Sequence, residues 1–254
     1  MKNKQKFLDH SDEWNQEMMF GPNVGFAVSE SYKLLRANVM YSFSSESRCH
    51  VIGVMSSVRG EGKSTTACNL AYALMEAGRK TLLMEGDLRL PSIPKKLGLQ
   101  QEPGLSELLV MNVRMGDVIQ HCELAPKMDV ITAGSPTPNP SELLGSNVFK
   151  EVMKELISHY EYIVIDLPPV TAVSDALVVS ELLDGVVMVV RNNYVTRKDL
   201  AEAMRQLKLV DVRILGFAYR GTNQSSYAKK YKAYQKSADA SAYKKKSYKG
   251  YSND

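Results

Sequence analysis

An α/β domain with a mostly parallel central sheet, flanked by helices and followed by a polar tail, is the fold this sequence predicts. Three observations carry the prediction. The apolar runs Val51–Met55, Tyr162–Ile165 and Gly185–Val190 show no polar alternation and read as strands covered on both faces. Stretches of helical periodicity lie between the strands, and that alternation implies parallel strands joined by right-handed crossovers. Acidic residues follow two of the strands, Glu85–Gly86–Asp87 after Thr81–Met84 and Asp166 after Ile165, at the end where such sheets bind ligands.

Size and composition agree with one such domain plus tails. The chain has 254 residues, 44% hydrophobic and 24% charged, enough to bury a sizeable core. No apolar run approaches the roughly 20 residues of a membrane span. The segment from Met1 to Lys6 lacks the apolar stretch of a signal peptide. Cys49, Cys68 and Cys122 have no metal-ligand spacing and read as free thiols, with Cys68 packed on a helix. The net charge of +4 is unevenly spread: residues 225–254 hold eight lysines against two aspartates, a local +6, which leaves about −2 for the rest.

In chain order, residues 1–25 form a polar arm with the only tryptophan, Trp14. Ala27–Phe43 is helical, with Tyr32, Leu35, Val39 and Phe43 three or four apart. Glu30, Lys33 and Arg36 share a face, read first as solvated and second as a subunit contact. The strand Val51–Met55 leads into Ser57–Val58–Arg59–Gly60–Glu61–Gly62–Lys63–Ser64–Thr65, and a helix runs from Lys63 to Ala77 with Gly78 at its C′ position. Strand, glycine turn and Lys-Ser at a helix start are the context of a phosphate-binding loop, although Ser57 stands where its first glycine usually is. Loop amides and the helix dipole would cradle a nucleoside triphosphate, Lys63 would reach the β- and γ-phosphates, and Ser64 would join a Mg²⁺ shell. The plain alternative is a tight turn with a surface lysine.

After Thr81–Met84, the Glu85/Asp87 pair points toward the same crevice, the alternative being an exposed acidic turn. Gly104–Gln120 reads as short helical pieces including Val118–Ile119, and Met128–Thr132 as a strand. Gly134–Pro140 is a proline-rich loop, and one long helix follows from Ser141 to Tyr160. Asp166 then ends an apolar strand, a carboxylate of Walker B character near Mg²⁺, or else an ordinary turn residue. Ser174–Leu183 and Arg197–Leu209 are helices, and Ile214–Tyr219 is the last strand. The division expected is therefore 1–25 arm, 26–224 domain and 225–254 tail. The tail has no Val, Ile, Leu, Met or Phe, and its bulky side chains are Tyr227, Tyr231, Tyr234, Tyr243, Tyr248 and Tyr251, so disorder is expected. It suits single-stranded nucleic acid, an acidic membrane surface, or phosphorylation of its tyrosines; only the last explains why every aromatic is Tyr.

With these residues in view, the chain resembles a bacterial tyrosine kinase of the Walker-motif type (BY-kinase), the soluble component that Gram-positive bacteria pair with a membrane adaptor. Ser57–Thr65 is similar to the family's Walker A, Glu85–Gly86–Asp87–Leu88–Arg89 with Pro91 to its Walker A′, and Ile163–Asp166 with Pro168–Pro169 to its Walker B. The tyrosine-rich tail is similar to the autophosphorylation cluster, and Glu30, Lys33 and Arg36 fall on the oligomerisation motif E-x-x-R-x-x-R, with Lys33 for its first Arg. The resemblance implies a P-loop NTPase fold with deviant Walker motifs, ATP and Mg²⁺ as cofactors, and Ser64, Asp87 and Asp166 around the metal. A Walker A′ carboxylate, Glu85 or Asp87, would accept the tyrosine proton, and Arg89 would steady the phosphates or a neighbour's tail.

It implies further a homo-oligomer ring, a membrane adaptor, a phosphotyrosine phosphatase, no nucleic acid, a cytoplasmic location at the inner membrane face, and control of capsular or extracellular polysaccharide synthesis or export. Glu85 replaces an aspartate, Leu167 a threonine, and Arg220 stands where an Asn commonly reads the base. The rival readings are a MinD/ParA-type positioning ATPase, whose signature lysine is Val58 here, and a nucleotide-binding scaffold whose phosphotransfer has decayed through Glu85.

Overall fold

The run His50–Ser56 forms β1, and all seven of its residues are buried, which is why it carries no polar alternation. A computed structural model of the chain describes residues 20, 24–43, 49–122 and 125–221; most of the expected arm, with Trp14, and all six tail tyrosines lie outside the described residues. The other strands are β2 (Thr81–Glu85), β3 (Ile119–Cys122), β4 (Ala125–Ile131), β5 (Tyr162–Asp166), β6 (Gly185–Arg191) and β7 (Ile214–Arg220). They pair in the order β3-β4-β2-β5-β1-β6-β7. Every pairing is parallel except β3 with β4.

The chain leaves β1 for β2 and returns through β5, which fills the gap between them. The C-terminal ends of β2, β5 and β1 thus lie side by side, with Asp166 in register with both Val54 and Glu85. That is the crevice where parallel sheets bind ligands. Helices α1 (Phe26–Tyr41), α2 (Lys63–Glu76) and α3 (Ile93–Leu97) cover one face, around Ile52, Val54, Leu70, Leu83 and Val164. On the other face α4 (Leu105–Leu109), α5 (Met115–Val118), α6 (Pro140–Leu144), α7 (Asn147–His159), α8 (Asp175–Val179) and α9 (Arg197–Leu209) enclose Met55, Met84, Phe149 and Ile165.

Gly78 closes α2 with φ +82°, its N–H donating to Met75 O and that of Arg79 to Leu74 O. The three cysteines are free and buried, Cys68 on α2. Among the described residues no helix is long and apolar enough to cross a membrane.

Three local expectations need correction. Ile119 does not continue a helix: it opens β3, an antiparallel edge strand whose four residues give no periodicity to read. The expected helix Ser141–Tyr160 is two, because the chain breaks at Gly145 and Ser146, whose Oγ accepts the Phe149 N–H as the N-cap of α7. The Ser174–Leu183 helix is the five-residue α8 followed by a 3₁₀ turn, Ser180–Leu182.

Candidate functional site

The loop between β1 and α2 holds its shape through its two left-handed glycines, Gly60 at φ +88° and Gly62 at φ +92°. A side chain would not fit at either. A Cβ on Gly60 would come within 2.5 Å of the Tyr194 hydroxyl, and one on Gly62 within 1.4 Å of Arg220 Nη1. The loop's outward carbonyls each receive a donor from another element: Arg59 O from the Tyr194 hydroxyl at 2.9 Å, Gly60 O from Arg191 Nη1 at 3.0 Å, Gly62 O from Arg220 Nη1 at 3.0 Å. Fully buried Glu61 ties the loop to itself and to the end of β6, accepting from Val58 N at 2.8 Å and Arg191 N at 3.1 Å. With its carbonyls facing outward, the loop leaves the amides at the start of α2 without intrahelical acceptors, a ready anion site. Ser57 is buried beneath it, its carbonyl accepting from the Thr171 hydroxyl.

Lys63 turns from the loop onto the carboxylates of the neighbouring strand ends. Its Nζ lies 2.8 Å from Asp87 Oδ2, 3.4 Å from Asp166 Oδ1 and 3.5 Å from Ser64 Oγ. Burial disfavours its charge, but Asp166 and Asp87 more than compensate and its pKa is raised. Asp166, fully buried, is also pushed up, by desolvation above all and against the pull of Lys63. Its Oδ2 has no hydrogen-bond partner. An orphaned carboxylate oxygen, a second aspartate and a hydroxyl, with one lysine to balance them, suit a divalent cation. Among the described residues no three His, Cys, Asp or Glu side chains form a cage. Mg²⁺ commonly takes one or two carboxylates and completes its shell with phosphates and water.

Two expected site residues are engaged elsewhere. Glu85, at the end of β2, accepts backbone N–H bonds from Ser92 at 2.5 Å, Ile93 at 2.8 Å and Ala133 at 3.2 Å. Desolvation nonetheless lifts its pKa to about 7, since burial and Asp166 outweigh those amides. Arg89 forms a two-point ion pair with Asp175 at the start of α8, Nε to Oδ2 at 2.8 Å and Nη2 to Oδ1 at 3.0 Å, and reaches Ser141 Oγ at 3.3 Å. Ser141 in turn donates to Asp175 Oδ1. Arg36 of the expected oligomerisation motif donates to Ala73 O in the last turn of α2, while Lys33 pairs with Glu30 at 2.9 Å.

Sequence reasoning missed Tyr194, Arg191 and Asp175. Each acts on a residue far along the chain, and the one available hint was the placement of Arg191 at the end of a buried strand and of Tyr194 just past it.

A family model described as ParA, NUBPL iron-transfer P-loop NTPase, matches residues 48–248. Tyrosine-protein kinase YwqD of Bacillus subtilis (strain 168) is 32% identical over 200 residues, covering 79% of this chain and 84% of that protein. Among solved structures, the chimerical protein CapA2B2 superimposes with a TM-score of 0.73 at 33% identity, covering 77% of this chain and 86% of that one. The kinase domain of the Escherichia coli tyrosine kinase ETK gives 0.73 at 29% identity, covering 77% and 76%.

Proposed function

The chain belongs to the bacterial tyrosine-protein kinases, a branch of the ParA-type P-loop NTPases, and we propose that it transfers the γ-phosphoryl group of Mg-ATP to the tyrosines of its own tail, between copies of a ring. The observation that carries this reading is the meeting of Lys63, Asp87 and Asp166 under the phosphate loop, with Asp166 Oδ2 unpaired. Phosphoryl transfer needs positioning and charge neutralisation more than covalent chemistry, and these residues supply both.

In this mechanism the amides of Gly60, Glu61, Gly62, Lys63, Ser64 and Thr65 grip the triphosphate. Lys63 leaves the aspartates for the β- and γ-phosphates. Ser64, Asp87 and Asp166 would hold Mg²⁺, which would supply charge neutralisation to the transferring group. Departure of Lys63 frees Asp87 Oδ2, the oxygen it now occupies at 2.8 Å, to accept the phenolic proton. Glu85, with both oxygens taken by amides, shapes the loop that aims Asp87 and does not itself take the proton. Arg220, bonded to Gly62 O, would border the nucleotide base.

The acceptors are Tyr227, Tyr231, Tyr234, Tyr243, Tyr248 and Tyr251. A random coil of 30 residues spans roughly 30 Å, a length that would let a tail of this size reach a neighbour's site. Glu30, Lys33 and Arg36 lie at the subunit contact, and a membrane adaptor recruits the cytoplasmic kinase to the inner face of the membrane. A phosphatase resets the tail, and the cycle regulates capsular or extracellular polysaccharide synthesis or export. The positioning-ATPase reading has less support, since Val58 occupies the place of its signature lysine.

Incubation with Mg-ATP, with and without the adaptor's cytosolic segment, followed by mass spectrometry, tests the reading. Phosphotyrosine between Tyr227 and Tyr251 that vanishes in Lys63→Met is expected. ATP hydrolysis with an unmodified tail would favour the positioning ATPase, and ATP bound without turnover the scaffold.

A further inference from the structure

We infer that Tyr194 is a second kind of phosphate acceptor, one whose modification weakens nucleotide binding at its own site. The inference rests on the kinase reading above and goes beyond the tail.

Seven of the chain's thirteen tyrosines lie outside the tail. Tyr32 hydrogen-bonds Thr66 and Asn69, Tyr160 bonds Asp129, Tyr72 stacks on Phe20 and Tyr219 bonds Asn192. Tyr162 is buried and Tyr41 stands out in solvent. Among the described residues, Tyr194 alone puts its hydroxyl on the phosphate loop, 2.9 Å from Arg59 O. The residue is nevertheless 49% exposed, in the turn between β6 and α9, so another copy's site can meet it.

The hydroxyl sits tight against the loop. A single carbon on Gly60 would already stand 2.5 Å from the Tyr194 hydroxyl. A phosphoryl group on that oxygen replaces the phenolic hydrogen, so Arg59 O loses its donor. The new dianion also lies close to Arg191, whose guanidinium sits 4.8 Å from the Tyr194 ring centroid while its Nη1 holds Gly60 O. A phosphate is a stronger partner for arginine than a neutral carbonyl, so Gly60 O loses its donor too. Two of the three outside donors to the loop carbonyls leave together, and a charge of about −1.5 to −2 stands beside an anion site.

In the transfer, Tyr194 Oη forms a bond to the γ-phosphorus of Mg-ATP on a second copy as the bond from that phosphorus to the ADP oxygen breaks. The phenolic proton goes to that copy's Asp87, and ADP leaves.

The test uses full-length chain in which the six tail tyrosines are phenylalanine, incubated with Mg-ATP and wild-type kinase, and separated by phosphate content. Mass spectrometry is expected to find phosphate on Tyr194, also when Lys63→Met is the acceptor. Calorimetry with ADP should show the phosphorylated fraction binding about tenfold more weakly, within the usual range of coupling between sites, and a tyrosine phosphatase should restore it. Tyr194→Phe, which removes the donor without adding charge, should weaken ADP by less and show no response to ATP. Phosphate on the wild-type tail with none on Tyr194 would overturn the inference and leave the kinase standing. So would phosphate on Tyr194 with ADP affinity unchanged. No phosphotyrosine anywhere would overturn the kinase reading itself.

Discussion

Glu85 and Asp87 stand two residues apart, yet their environments give them different work. Asp87 faces Lys63, while Glu85 folds back onto the amides of Ser92, Ile93 and Ala133. One extra methylene lets the longer side chain cap α3 and fasten β2 to the residues after β4. A pKa raised from 4.5 to about 7 makes this carboxyl a source of pH-dependent stability. Below pH 4.5 it is protonated in both states; between 4.5 and 7 the unfolded chain has lost the proton and the folded chain keeps it. The metal-free protein is therefore expected to lose stability as pH rises through that window, by on the order of 3 kcal/mol, and to level off above it. Urea unfolding across the window should show the slope, and Glu85→Gln should remove most of it. The acidic pair was legible in the sequence, but the division of roles was not, because the bond partners of Glu85 lie seven, eight and 48 residues further on.

Strands β1, β2 and β5 could be read directly because burial on both faces forces an unbroken apolar run. Strand β3 could not, since four residues at a sheet edge carry too little pattern, and the α6–α7 break hinges on a cap that only the fold reveals. The joint among the β2 exit, α6 and α8 was equally hidden, although its members Arg89, Ser141 and Asp175 are all polar. Asp175 is fully buried, whereas the Arg89 side chain is 39% exposed, so the two halves of the pair are not equivalent. Arg89→Ala strands a carboxylate in the interior, and a cost of about 3 kcal/mol is expected. Asp175→Asn leaves the guanidinium to water and should cost about 1 kcal/mol. Thermal unfolding of the two variants checks the order, which a plain surface salt bridge would not produce.

Across the chain, charge is divided as sharply as structure, with about −2 on residues 1–224 and +6 on the last 30. Each phosphotyrosine adds about −1.5 to −2, so a fully phosphorylated tail would turn from cation to anion and, in the proposed ring, be repelled by the acidic body of its neighbours. Light scattering should then report a smaller assembly after complete phosphorylation; an unchanged mass would remove this account of ring opening. The sheet order makes the chemistry possible by setting three strand ends side by side, and it also sets a tempo. Lys63 rests in ion pairs with Asp87 and Asp166, and under the proposed mechanism nucleotide must take these apart before it can settle. Arrival is then a gated event: stopped-flow traces with ADP should reach a plateau rate as nucleotide concentration climbs, and the height of that plateau is the frequency with which one lysine lets go.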